Sequence, residues 1–174
     1  MNIILLGAPG VGKGTQAKKI MQKYQIPQIS TGEILRNEVN SGSALGQKVK
    51  SILDDGQLVP DELMLEIVHH RLSQPDCKNG FILDGFPRTI PQAIGLDKLL
   101  DKNHTSHVTV IEIYAPNEII LDRLTSRRIC ENCGADYNLK LNPPPSDNIC
   151  RICGGNIVQR DDDKAETIKK RLTV

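Results

Sequence analysis

Asn2-Ile3-Ile4-Leu5-Leu6 is a short apolar run closed by Gly7, the pattern of a strand buried on both faces of a parallel sheet. Beyond a glycine-rich turn the period changes. Ala17, Ile20, Met21 and Tyr24 fall three and four residues apart, which predicts an amphipathic helix. Strand, turn and helix open an α/β unit, and the alternation recurs. Pro27 to Ser30, Gly80 to Asp84 and Val108 to Tyr114 read as strands with helical stretches between them. Ser30-Thr31-Gly32-Glu33 has the spacing of a capping box and predicts a helix with Ile34, Leu35 and Val39 on one face. Pro60-Asp61-Glu62 opens another, running through Leu63, Ile67 and Leu72. Asn117 to Ile129 reads as a third, with Ile120, Leu121 and Leu124 inward. Strands alternating with helices imply right-handed crossovers and an α/β fold with a doubly wound parallel sheet. Between Ser126 and Asp163 this rhythm breaks. The segment holds four cysteines, the run Pro143-Pro144-Pro145 and three glycines, which predicts a small lobe inserted into the α/β core.

Composition narrows the function classes. A chain of 174 residues allows one compact domain with an insertion or two. Lys plus Arg total 22 against 21 Asp plus Glu, a net charge of +1, which argues against a dedicated nucleic-acid or membrane-surface binder. Aromatic residues make up 3% with no Trp, so base stacking is not the main binding device. No window has the roughly 18 apolar residues of a membrane span and no secretory apolar segment opens the chain, so a soluble, cytoplasmic protein is expected.

Four of the five cysteines form two CxxC pairs, Cys130 with Cys133 and Cys150 with Cys153, and in a cytosolic chain such pairs are metal ligands more often than disulfides. Cys77 reads as a structural thiol. His69, His70, His104 and His107 read as surface residues without a role.

The strongest chemical signal is Gly7-Ala8-Pro9-Gly10-Val11-Gly12-Lys13-Gly14-Thr15, a GxxxxGK phosphate loop between a predicted strand and a predicted helix. Backbone N–H groups of such a loop converge on a phosphate, the helix N-terminus adds positive potential, and Lys13 reaches the outer phosphates. Gly14 stands where the pattern usually has Ser or Thr, with the hydroxyl displaced to Thr15, which leaves a magnesium ion to phosphates and water. Asp84-Gly85-Phe86-Pro87-Arg88 ends a predicted buried strand, where ligands bind in open α/β sheets. There Asp84 can orient waters on magnesium and Gly85 admits a ligand to the backbone. Arg36, Arg88, Arg123, Arg127, Arg160 and Arg171 are candidate clamps for phosphoryl charge.

Together, GAPGVGKGTQA, QISTGEILR, GFILDGFPRTIPQA, DRLTSRR and QRDDD with KKR resemble the adenylate kinases, over essentially the whole chain. The four cysteines make it similar to their zinc-containing, long-lid type. The resemblance implies a P-loop core of residues 1–29, 60–125 and 164–174, a helical AMP-binding flap of 30–59, and a zinc-bound lid of 126–163. It implies that Gly10, Val11, Gly12, Lys13, Gly14 and Thr15 hold the ATP phosphates, with Arg123 and Arg127 from the lid hinge and Asp136 and Tyr137 near the nucleoside. Thr31, Arg36, Gln57, Leu58, Val59, Gly85, Phe86, Pro87, Arg88 and Gln92 would form the AMP pocket, and Arg160 and Arg171 would bridge the reacting phosphates. Gln92 offers a donor and an acceptor to the adenine edge. The implied reaction is MgATP + AMP ⇌ 2 ADP, with Lys13, Asp84, Arg88, Arg123, Arg160 and Arg171 catalytic, in a monomer that binds neither nucleic acid nor membrane. Mg²⁺ would come with ATP, and Zn²⁺ would be structural.

Two other readings compete. One is a kinase for another nucleoside monophosphate. The other is a non-catalytic zinc-ribbon protein that binds nucleotide or nucleic acid, since CxxC, sixteen residues and CxxC is also ribbon spacing. The last predicted helix, with Asp161 to Asp163 at its start and Ile168 and Leu172 inward, meets no closing glycine or proline before Val174. Together with the resemblance, which implies a further helix and parallel strand, this predicts that the 174 residues are a truncation and that the sheet keeps an open edge.

Overall fold

The computed structural model describes residues 1–55, 57–102 and 107–173. Gly56, residues 103–106, which include His104, and Val174, on which the predicted truncation turned, lie outside the described residues. The chain forms two compact units, Met1–Ser51 with Leu58–Tyr114, and Ile52–Gln57 with Ala115–Val174.

The first unit is built on a four-stranded parallel sheet. Its strands are β1 (Asn2–Leu6), β2 (Gln28–Ser30), β3 (Phe81–Asp84) and β4 (Val108–Glu112), in the order β2-β3-β1-β4. β3 is buried at every position, as expected of a strand covered on both faces. Helix α1 (Lys13–Tyr24) returns over the sheet, and Ile3, Leu5, Ala17, Ile26 and Ile82 pack into one core cluster. Tyr24, expected to face inward, is exposed.

Helix α2 (Thr31–Ser41) starts where the capping box predicts. The Glu33 N–H donates to Ser30 Oγ at 3.4 Å, and Leu35 is the buried member of the expected stripe. Helices α3 (Ala44–Asp54), α4 (Asp61–Leu72) and α5 (Ile90–Lys102) follow. In α4 the buried face is Met64, Val68 and Leu72, one position round from the Leu63 and Ile67 stripe that hydropathy picked out. Leu72 is buried as expected, and Leu63 and Ile67 are half-buried. A Cβ at Gly95 of α5 would lie 2.5 Å from a Leu65 methyl, so the glycine admits Leu65 where the two helices meet.

The second unit contains α6 (Asn117–Thr125), a three-stranded antiparallel sheet and α7 (Ala165–Leu172). The predicted helix over residues 117–129 is too long. It stops at Thr125, and Arg127–Cys130 becomes β5, the central strand between β6 (Asp136–Asn138) and β7 (Ile157–Val158). Arg127, Arg128 and Ile129 pair with Asn138, Tyr137 and Asp136, and these long-range ladder bonds outweigh a local helical period. Ile120, Leu124 and Ile168 are buried where α6 meets α7. No helix among the described residues is long and apolar enough to cross a membrane.

Candidate functional site

In the first unit, β1 delivers the chain into the phosphate loop through Gly7, whose φ of +133° is closed to most side chains. A Cβ there would stand 2.1 Å from the Ile113 carbonyl oxygen, so the close approach of loop and sheet requires glycine. Gly12 precedes α1 with φ +108° and offers no side-chain oxygen to its first turn, which also lacks acidic residues. An anion can fill that role. The Lys13 ammonium donates to the carbonyls of Gly7 and Ala8, at 2.7 and 2.9 Å.

Asp84 ends β3, and Ser30 is its register partner on β2. Its carboxylate, 8% exposed, accepts a hydrogen bond from Gln28 Nε2 at 2.9 Å. Burial pushes its pKa up, and the positive charge of Lys13, the Gln28 bond and the charges of Arg88 and Arg36 pull against that rise. The charges of three of the expected phosphate-binding cations therefore act on one buried carboxylate. A Cβ at Gly14 would lie 3.5 Å from Asp84 Oδ2 and 3.9 Å from Gln28 Nε2. These are ordinary van der Waals distances, so the loop stands directly against the Asp84–Gln28 pair.

Glycine also seats two arginines. The Arg36 guanidinium lies over Gly32 and that of Arg88 over Gly85, each 3.1 Å from where a Cβ would be. Arg88 Nε donates to the Gly85 carbonyl at 2.7 Å, and Thr31 Oγ1 donates to the same oxygen at 3.2 Å. Phe86 is buried, and its bond to Pro87 is cis. Gln92, in the first turn of α5, has both ends of its amide engaged within the protein, by the Arg88 N–H and the Asp61 carboxylate. Val59 is buried and Leu58 half-buried, while Gln57 is exposed and its N–H donates to the Ile52 carbonyl.

In the second unit, Arg127, Arg160 and Arg171 lie among acidic groups. Arg127 Nε and Nη2 grip the wholly buried Asp163 at 2.8 and 2.6 Å. Burial works against the Arg127 charge, but the Asp163 hydrogen bonds together with the charges of Asp163, Asp162 and Asp136 outweigh it and raise its pKa. Arg171 Nη1 donates to the Asp162 carboxylate at 2.8 Å and to its carbonyl at 3.0 Å. Arg160 differs: burial and then the like charge of Arg127 lower its pKa, and its buried Nε has no hydrogen-bond partner among the described residues. An oxyanion is the ligand that would satisfy it. Arg123 is exposed on α6, and Asp136 is exposed on β6.

The four paired cysteines converge. Their sulfurs all lie within 4.8 Å of one another, with Cys130 to Cys153 at 3.4 Å and Cys133 to Cys150 at 3.7 Å, and none is bridged. Tetrahedral zinc at about 2.3 Å from each sulfur sets the sulfurs about 3.8 Å apart, so the donor set fits that ion. Two matching knuckles shape it: the Gly134 N–H donates to the Cys130 carbonyl, and the Gly154 N–H to that of Cys150. Tyr137, which the resemblance sets near the nucleoside, has its side chain buried in this cluster. Its hydroxyl donates to Cys150 Sγ at 3.4 Å and accepts from the Arg151 N–H at 3.0 Å. The Tyr137 hydrogen bond leads the contacts that pull the Cys150 thiol down to about 6. The tyrosine side chain thus supports the cysteines.

Sequence reading gave no role to Gln28, Asp61, Thr89 or Asp163. Gln28 carried a usable signal, because β2 and β3 run parallel and its side chain emerges beside the strand end that holds Asp84. The others bond across 28, 31 and 36 residues, and no local pattern announces them.

A family model described as adenylate kinase matches residues 5–174. Adenylate kinase of Caldicellulosiruptor bescii is 54% identical over the whole of this chain and 81% of its own length. That of Archaeoglobus fulgidus is 54% identical, over 80% of its length, and that of Clostridium perfringens 52%, over 81%. A phosphate loop set beside a buried carboxylate, a four-sulfur cluster and these matches across the chain lead to one conclusion: the chain belongs to the adenylate kinase family.

Proposed function

We propose that the chain catalyses MgATP + AMP ⇌ 2 ADP, with the phosphate loop and Lys13 holding the ATP phosphates and Arg36 and Arg88 holding the AMP phosphate. The observation that carries this reading is the placement of the phosphate loop's Gly14 against the buried Asp84 at the carboxyl end of the parallel sheet, where the charges of Lys13, Arg88 and Arg36 act on that carboxylate. The acceptor is a phosphate oxygen, largely ionised at pH 7 because its second pKa is about 6, so no general base is needed. Catalysis then consists of positioning and charge stabilisation. In this reading Asp84 orients the waters of the magnesium that arrives with ATP. Arg123, Arg127, Arg160 and Arg171 meet the transferring phosphoryl group and its neighbours. Thr31, Gln57 to Val59, Gly85 to Arg88 and Gln92 receive AMP, with Gln92 at the base edge.

Residues 30–59 and 126–163 act as two flaps on a core, closing to exclude water, which would otherwise accept the phosphoryl group. Cys130, Cys133, Cys150 and Cys153 hold one Zn²⁺, and four protein sulfurs leave that ion no open position for reactive water. We further read the protein as a cytoplasmic monomer.

The test is ADP formation from ATP and AMP in a coupled assay, with CMP, UMP and IMP as alternative acceptors. Turnover with AMP at least tenfold above the others supports the reading, and a preference for a pyrimidine acceptor replaces it with the other kinase. Salt-sensitive nucleic-acid binding without phosphotransfer would favour the zinc-ribbon alternative.

A further inference from the structure

Gln92 is 2% exposed, and its amide is held by two partners of fixed and opposite polarity. The Arg88 backbone N–H donates to Oε1 at 2.8 Å, while Nε2 donates to Asp61 Oδ1 at 2.7 Å. The same carboxylate oxygen accepts from Thr89 Oγ1 at 2.9 Å, and Thr89 Oγ1 accepts from the Gln92 N–H at 3.2 Å. An ionised carboxylate cannot donate and a backbone N–H cannot accept. Turning the amide over would set a carbonyl oxygen against the carboxylate and an NH₂ group against an N–H, losing both hydrogen bonds at once. Its orientation is therefore dictated by the chemistry of its partners.

A primary amide has two N–H groups and two lone pairs, and this network takes one of each. One donor and one acceptor remain, in an order the network has already chosen. A 6-aminopurine edge supplies a donor at its exocyclic nitrogen and an acceptor at N1. A 6-oxopurine edge supplies the reverse.

We propose that Asp61 is a positioning residue that fixes the polarity of Gln92 and so selects 6-amino over 6-oxo purines in the acceptor nucleotide. The inference rests on the reading that Gln92 faces the acceptor base. Thr89 supports Asp61 as its second donor. Without the carboxylate only the Arg88 N–H still opposes the reversed amide, so the orientation that suits the wrong base becomes more populated.

The experiment measures kcat/KM and equilibrium binding for AMP and IMP in the parent, Asp61→Ala, Thr89→Val and Gln92→Leu proteins, with melting temperature as the fold control. Sites built for one hydrogen-bond pattern reject its opposite by several powers of ten, so freeing the amide should lower the AMP-to-IMP ratio about tenfold or more in Asp61→Ala. KM for ATP should stay within about twofold of the parent, and Thr89→Val should show a smaller fall in the ratio. A general loss of packing would move both acceptors together and leave their ratio alone. An unchanged ratio in Asp61→Ala beside a collapsed ratio in Gln92→Leu overturns the inference about Asp61. An unchanged ratio in Gln92→Leu overturns the underlying placement of Gln92. Should Asp61→Ala fail to fold, Asp61→Asn serves, because its near-isosteric amide can donate or accept and tolerates both orientations of Gln92. The same fall is expected there, and its absence counts against the proposal.

Discussion

Lys13 donates to two carbonyls of its own loop, so an arriving phosphate competes with partners already in place. The exchange favours the phosphate because it carries full negative charge where the carbonyls carry partial charge. Lys13→Ala and Arg88→Ala should each lower kcat/KM by about 10²-fold or more, with melting temperatures close to the parent, since neither side chain fills the core. A loss below about tenfold in both would remove them from the chemistry. Asp84 makes the opposite trade between stability and activity. Its pKa is raised by burial, so the folded protein binds a proton more readily than the unfolded chain, and stability falls as pH rises through the carboxylate range. Asp84→Asn should therefore melt higher than the parent at pH 7 without nucleotide, an advantage that fades as the buffer is taken down through that range, while phosphotransfer drops. Equal melting of the two proteins at pH 7 would contradict this. Lys13 and the cysteines were legible because their patterns are local. Gln28 to Asp84 was legible only in part, from two strands expected to run parallel, and Asp61 to Gln92 was not, because that bond exists only after two helices have been brought together.

At the scale of elements, strand–helix alternation located β1, α1 and β3 because burial on both faces leaves a continuous apolar run. It failed after Thr125, where Arg127 to Cys130 looks like the end of a helix and is the middle of a sheet. What holds that strand is partly the clasp of Arg127 on Asp163, the latter fully buried. Removing one member strands the other, so Asp163→Ala should cost about 3 kcal/mol of stability by denaturant titration, in contrast to exposed pairs such as Lys164 with Asp161. A loss under 1 kcal/mol would show that water replaces the carboxylate. The four-sulfur cluster makes a separate demand on the same lobe. Elemental analysis should find about one zinc per chain, and a strong chelator should expose four thiols and lower the melting temperature. Zinc below half an equivalent after gentle purification would count against the site.

For the molecule as a whole, the parallel sheet is asymmetric. β4 pairs with β1 on one side, and among the described residues no strand pairs with its other edge. Val110 is 56% exposed and Ile111 39% exposed, although both have the character of covered sheet residues. An apolar, unpaired edge is a template for further pairing. The monomer proposed above is therefore weakest at this edge: any association at high concentration should start at β4, and Val110→Lys should raise the concentration at which light scattering detects it, with little change in melting temperature. Equal scattering by the two proteins would clear β4 of the charge. Composition and period could announce a parallel sheet, but not which of its strands would lie at the edge.

β1, by contrast, is bonded on both flanks, to β3 and β4. Amides in such a strand exchange with solvent deuterium only through the largest openings of a protein, whereas those of edges and helix ends exchange through small ones. The phosphate loop is the direct continuation of β1, so its anchor belongs to the last part of the molecule to come apart. A partly unfolded chain would keep the hinge of its nucleotide loop after losing β2 or the helices around it.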